Sequence, residues 1–278
     1  MKPGAEPLLD APPPDWLDSL QRLAPRLVHE FRNPLSGILG SSQMLARLID
    51  PEGPAREYIQ IVEEEARKLE GHLARLAEIG RLRHKRFDAA APLDLHALLT
   101  QTLLEIKAAC DACGVRQVTA FGPRVLAVRG DSIQLGRACA EILRNGLEAM
   151  PHGGTLRVAA CLAGGAAGAA AGGPSGAPGR LQDPALRPSD PAAHGPDRRR
   201  TGWVQIEFSD TGAGMTEEVR QQAFEPFFST RPRALGMGLS LAQAIALAHG
   251  GRIRLGCLGG QGLRVILMLP AATDGDAS

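Results

Sequence analysis

The run Leu27-Val28-His29-Glu30-Phe31-Arg32-Asn33-Pro34-Leu35 sets an imidazole beside a carboxylate and one helical turn before an amide. On the solvated face of a helix a histidine can act as a nucleophile, and Glu30 could hold the ring tautomer by accepting the proton of its non-reacting nitrogen. Asn33, four residues after His29, shares its helix face. A second set of residues lies further along. Glu141 and Asn145 also stand four apart, offering a carboxylate and an amide oxygen to a hard cation such as Mg2+ or its waters. Asp210-Thr211-Gly212-Ala213-Gly214 follows the apolar run Val204–Phe208. A carboxylate at such a strand end can accept a hydrogen bond from an exocyclic amine, while the glycines let a ligand approach the backbone. Phe224-Glu225-Pro226-Phe227-Phe228-Ser229-Thr230-Arg231 gathers three aromatic rings ahead of two hydroxyls and a cation. Gly236-Met237-Gly238 opens an apolar helix and leaves backbone N–H groups free to hold phosphate. Singly, each of these is an ordinary feature of a protein surface.

The elements that must position them follow from periodicity. Leu17, Leu20, Ala24, Leu27, Phe31, Ile38, Ser42, Leu45 and Ile49 step by three and four, which predicts a helix from Trp16 to about Ile49, N-capped by Asp15, with His29 off the seam. Pro34 removes a backbone donor and predicts a kink one turn past His29. After the turn at Asp50–Pro54 a second helix carries Ile59, Val62, Ala66, Leu69, Leu73 and Leu76 in the same spacing. Each seam is too long for one partner, so two copies of the hairpin should form a four-helix bundle, making the protein a homodimer.

From about Leu93 the pattern changes to an α/β domain. It predicts helices to about Cys113, over Ser132–Met150 and near 236–249, and strands at 115–121, 125–128, Thr155–Leu162, Trp203–Asp210, Arg252–Cys257 and Leu263–Leu269. The stretch 163–202 is dominated by Gly, Ala and Pro and reads as a disordered insertion in a loop. The expected organisation is a disordered N-terminus over 1–15, the hairpin over 16–87, the α/β domain over 93–270 and a disordered tail over 271–278.

The 278 residues suit about two domains, and 31 basic against 30 acidic residues leave a formal charge of +1, with no global field to attract nucleic acid or a membrane. Five cysteines without paired ligand spacing indicate neither a disulfide framework nor a zinc site and fit a reducing compartment. No stretch reads as a signal peptide or a membrane span, so a cytoplasmic protein is expected.

Order and spacing turn these separate signals into one. Over about residues 16–270 the chain resembles a two-component sensor histidine kinase: HEFRNPL is similar to the H box, EILRNGLEAM to the N box, DTGAG and GMGLSL to the two glycine boxes, and FEPFFSTR to the F box. Residues 27–45 look most like the nitrogen-regulation branch. The resemblance implies an α+β protein in which a phosphotransfer hairpin precedes an α/β-sandwich ATP-binding domain of the Bergerat (GHKL) fold. It implies ATP and Mg2+ as cofactors, His29 as phosphoacceptor, Glu30 as its acid/base partner, and Asn33 as a residue used in dephosphorylation. In the second domain it implies Asn145, with Glu141, at the metal and Asp210 at the adenine. Gly212, Gly214, Thr230, Arg231, Gly236, Gly238 and Leu239 would line the nucleotide. The implied partners are the receiver domain of a separate response regulator and an upstream sensory protein. Glu141 stands where a first Asn is usual and resembles the general base of gyrase-like ATPases, so an ATP-driven clamp is the rival reading. A regulator-binding phosphatase module is another.

Overall fold

A computed structural model describes residues 9–10, 15–50, 52–82, 91–122, 126–163, 202–231, 234–257 and 262–272. A strand β1 (Leu9–Asp10) precedes two long helices, α1 (Asp15–Leu48) and α2 (Ala55–Arg81), which form an antiparallel hairpin. Helix α1 runs unbroken through Pro25 and Pro34. Its buried stripe is Leu17, Ala24, Val28, Leu35 and Ser42, packed on the side of α2 that carries Ala66, Leu76 and Ile79. The seam expected from the heptads is therefore divided. Leu17 and Ala24 face inward, whereas Phe31 (57 % exposed), Ile38 and Leu45 lie outside with Ile61, Val62 and Leu69 of α2. A heptad with apolar residues at more than two positions has two usable faces, and Val28 and Leu35 win the intrachain one.

The second domain comprises β2 (Pro92–Asp94), α3 (Leu95–Ala112), β3 (Val115–Phe121), β4 (Ala127–Arg129), α4 (Ser132–Glu148), β5 (Gly154–Leu162), β6 (Trp203–Asp210), α5 (Glu217–Gln222), α6 (Gly238–Ala248), β7 (Arg252–Cys257) and β8 (Leu263–Pro270). Strands run in the order β1-β7-β8-β6-β5-β3, all neighbours antiparallel except the parallel pair β3 and β5. Helix α4 packs against both α3 and α6 and onto β5 and β6, giving a sandwich of one helical layer on one sheet. Aspartates fix where the helices begin: Asp94 caps α3 through the N–H groups of His96 and Ala97, and Asp131 caps α4 through those of Ile133 and Gln134, satisfying donors that have no intrahelical partner. The Asp131 N–H in turn donates to Nε2 of buried His249 at 3.1 Å, while His249 Nδ1 lies 2.8 Å from the Ile245 carbonyl oxygen. Burial holds His249 below the ordinary imidazole range, as a neutral ring bridging the start of α4 and the end of α6.

Three boundaries differ from expectation. Leu9 and Asp10 pair with Leu255 and Arg254, so the N-terminal stretch contains a strand. The domain begins at Pro92, because β2 pairs with β4. The expected tail starts later than 271, because Ala271 donates to Gly202 O at 2.8 Å and Ala272 to Ala127 O at 2.9 Å. A two- or three-residue strand carries too little periodicity to be seen alone. Of the insertion, 164–201 lies outside the described residues, as do 1–8 and 273–278. Its flanks meet: Leu162 pairs with Val204 and the Ala163 N–H donates to Trp203 O at 2.7 Å. Replacing 164–201 with a short turn should therefore leave thermal stability and nucleotide binding near those of the full chain, since closure depends weakly on loop length. A large fall in melting temperature would assign the segment a structural role.

Candidate functional site

His29, Glu30 and Asn33 are all exposed on α1. Glu30 Oε1 takes the guanidinium of Arg26 at 3.0 Å, and no hydrogen bond or ion pair joins the side chains of His29 and Glu30. Successive helical residues point about 100° apart, so Glu30 turns toward its i−4 neighbour instead. That pair is exposed, contributes little, and is easily exchanged.

In the sheet domain Asn145, Asp210 and Arg231 come together, and Glu141 meets Gly238. Helix α4 presents Glu141 and Asn145 on one face, and Gly146 faces the sheet, where a Cβ would stand 3.0 Å from Leu156 Cδ1. Asp210 ends β6 and is 4 % exposed. Its Oδ1 accepts the Gly212 N–H at 2.9 Å and the Leu263 N–H at 3.2 Å, while Oδ2 has no donor among the described residues. Burial pushes the Asp210 carboxyl up; the two backbone donors and the charge of Arg231 pull in the opposite direction. A Cβ on Gly146 would stand 3.5 Å from Oδ2, and one on Gly212 would stand 2.7 Å from Ala149 O. Both glycines keep the carboxylate approachable. An acceptor oxygen held at a strand end with no partner suits the amine of a purine ring.

Arg231 reaches across from the aromatic segment. Its Nη1 donates to Glu148 Oε2 at 2.6 Å and to Asn145 Oδ1 at 3.5 Å, and its Nη2 donates to Asn145 O at 3.2 Å. The aromatic segment is itself tied to the second glycine stretch, since the Phe227 N–H donates to Gly236 O at 3.0 Å. Phe227 adopts φ 69° and Gly236 φ 68°; for the phenylalanine this left-handed conformation is strained, a state that surrounding structure must hold. Thr230 is exposed and Leu239 buried. Gly214, φ 71°, lies against Gly262, whose N–H donates to Gly212 O at 2.8 Å.

Glu141, 3 % exposed, is held by three guanidiniums. Its Oε1 lies 3.3 Å from Arg75 Nε, 3.2 Å from Arg137 Nε and 3.4 Å from Arg144 Nη1. Its Oε2 faces Gly238 at the start of α6, where a Cβ would stand 3.3 Å away. Among the described residues no three His, Cys, Asp or Glu side chains group to hold a metal, so a cation here would need ligand oxygens besides Asn145 Oδ1 and Glu141 Oε2. An amide and a carboxylate oxygen fit Mg2+ when phosphates and waters complete its shell.

Sequence reasoning missed Glu148, Arg75 and Arg137. Glu148 stands three residues after Asn145, a spacing that was available as a signal. Arg75 belongs to another element and carried none.

Comparison with known proteins matches these two halves separately. The family described as "His Kinase A (phospho-acceptor) domain" covers residues 19–85, and "Histidine kinase-, DNA gyrase B-, and HSP90-like ATPase" covers residues 183–273. The chain thus matches a phospho-acceptor domain followed by an ATPase domain, in that order. It is similar to the sensor histidine kinase ZraS of Klebsiella oxytoca, 25 % identical across 91 % of this chain and 46 % of that one. The sensory histidine kinase/phosphatase NtrB of Rhodobacter capsulatus is 27 % identical across 83 % of this chain and 57 % of that one. The chain thus spans about half the length of the curated relatives it matches. Full-length ShkA, solved in complex with AMPPNP, shares the fold with a TM-score of 0.66 and 21 % identity, over 91 % of this chain and 46 % of that one. No helix among the described residues is long and apolar enough to cross a membrane.

Proposed function

We propose that the protein is a cytoplasmic, homodimeric histidine kinase that transfers the γ-phosphoryl group of ATP to His29 and then to an aspartate of a separate response regulator. The observation that carries this reading is the meeting of Asn145, Asp210 and Arg231 in one site, on a chain whose long helix exposes His29. Asp210 Oδ2 would accept the adenine amine, and Arg231 would exchange Glu148 for a phosphate. Mg2+, held by Asn145 and Glu141, would neutralise charge on the phosphates. A neutral His29 nitrogen attacks the γ-phosphorus, the bond to the β–γ bridging oxygen breaks, and ADP leaves with that electron pair. Glu30, once released from Arg26, takes up the ring proton. Positioning and charge supply most of such a catalytic effect. The exposed stripe of Phe31, Ile38, Leu45, Ile61 and Leu69 supports a second copy of the hairpin as the dimer partner. The nitrogen-regulation branch is the finer assignment, supported by the NtrB similarity, with ZraS similar to a like degree. An upstream sensory protein would act through the hairpin. An ATPase clamp that uses Glu141 as its base is disfavoured by a carboxylate whose Oε1 is shared by three guanidiniums. The test is incubation of purified protein with labelled ATP: a label that is acid-labile and base-stable supports the kinase, and ATP hydrolysis without label supports the clamp.

Exposed Asn33 lies one turn from His29, where its amide can orient a water in line with a docked phosphoaspartate. Asn33→Ala should keep self-phosphorylation and forward transfer but slow regulator dephosphorylation about tenfold or more, a typical loss for one positioning group. Time courses with a phosphorylated regulator would measure it. Lost self-phosphorylation with normal dephosphorylation would place Asn33 in the kinase step.

A further inference from the structure

The hairpin touches the nucleotide domain through four charged residues that alternate across two helices. Arg75 and Glu78 stand one turn apart on α2, and Arg137 and Glu141 one turn apart on α4. Arg75 reaches Glu141 at 3.3 Å, and Arg137 reaches both Glu78 at 3.8 Å and Glu141 at 3.2 Å. Glu141 is almost fully buried and Arg75 only 22 % exposed, so the contact is shielded from solvent to a degree that surface pairs are not.

The height of this contact on the hairpin matters. Ala24 and Gly80 face one another across α1 and α2, so closely that a Cβ on Gly80 would stand 2.9 Å from Ala24 Cβ. The helices are antiparallel and rise equally per residue, so counting forward along α1 from Ala24 to His29 and back along α2 from Gly80 to Arg75 reaches the same level. Arg75 is therefore at the height of His29, and its partner Glu141 directs its second oxygen at the start of α6, where phosphate is expected.

We propose that Arg75 is a positioning residue: its ion pair with Glu141 sets the phosphate end of the nucleotide site at the level of His29 on the hairpin. This rests on the kinase reading above. It adds a link that neither half carries alone, because α4 supplies the buried carboxylate and α2 the cation. Glu141 keeps Arg137 and Arg144 when Arg75 is removed, so the variant should fold.

The experiment compares Arg75→Ala and Arg75→Lys with the parent chain by self-phosphorylation kinetics, thermal unfolding and hydrogen exchange over residues 74–82. Misplacing reacting groups by an ångström can cost about a hundredfold in rate. We expect Arg75→Ala to lower kcat about ten- to a hundredfold with KM for ATP and melting temperature unchanged and exchange over 74–82 faster. Arg75→Lys should recover most of the rate. Any of three results overturns the proposal: kcat unchanged or raised although exchange is faster, a loss confined to KM, or equal losses in the Ala and Lys variants. If the parent chain itself takes no label from ATP, the kinase reading fails, whereas the exchange comparison still reports whether Arg75 holds the two parts together. Unchanged exchange in Arg75→Ala would refute the link on its own.

Discussion

His29→Gln is expected to take no phosphoryl label from ATP while binding the nucleotide as tightly as the parent chain. Glutamine keeps a polar side chain of similar reach on an exposed helical position, so α1 and its packing against α2 should be undisturbed. It offers no nucleophilic ring nitrogen, and no partial activity should remain, because the reacting atom itself is gone. Buried His249 cannot replace it, being already engaged at both nitrogens by the Asp131 N–H and the Ile245 carbonyl. Filter-binding counts after incubation with labelled ATP, alongside calorimetric titration with ATP, give both quantities. Label persisting at the parent level would remove His29 from the reaction.

Asp210→Asn should weaken ATP binding by about 1–3 kcal/mol, or about five- to 150-fold in Kd, without destabilising the fold. The two effects separate because the two carboxylate oxygens have different duties. In the variant an amide oxygen can still accept the Gly212 and Leu263 N–H groups, while an NH2 replaces Oδ2 and meets the ligand amine donor to donor. Burial raises the Asp210 carboxyl above its usual range, so the folded chain holds this proton more tightly than the unfolded one. Its ionisation therefore opposes folding at neutral pH, and that opposition is lost as pH falls through the raised folded value. The neutral amide should leave the melting temperature at pH 7 equal or higher. A fall in melting temperature that parallels the loss of affinity would make Asp210 a structural residue.

Much of the nucleotide half was legible because its requirements are local. Gly214 and Gly236 occupy left-handed conformations that a sequence marks with glycine, and the strands β5 to β8 announce themselves by apolar residues recurring at strand spacing. Phe227 shows where such reasoning stops: its φ of 69° is imposed by the bond to Gly236, and no residue type signals it. The hairpin was legible as two helices, but which stripe of α1 meets α2 depends on competition between two apolar faces. Val28 and Leu35 won it through packing that residue spacing does not encode. The links of Arg231 to Glu148 and of Arg75 to Glu141 join residues more than 60 positions apart. Only the assembled fold brings them within range.

Strand β1 has a mechanical consequence. The hairpin leaves the sheet at Asp10 and returns to the domain at Pro92, so it is anchored at both ends like a loop of rope hitched to one post. Between Asp10 and Asp15 run five Cα steps, which span at most about 18 Å when fully extended. While Leu9 and Asp10 stay paired with β7, the sheet can travel no further than that from the foot of α1. Any swing of larger amplitude must first peel a two-residue strand from the sheet edge, which makes β1 a stop on the stroke of the machine.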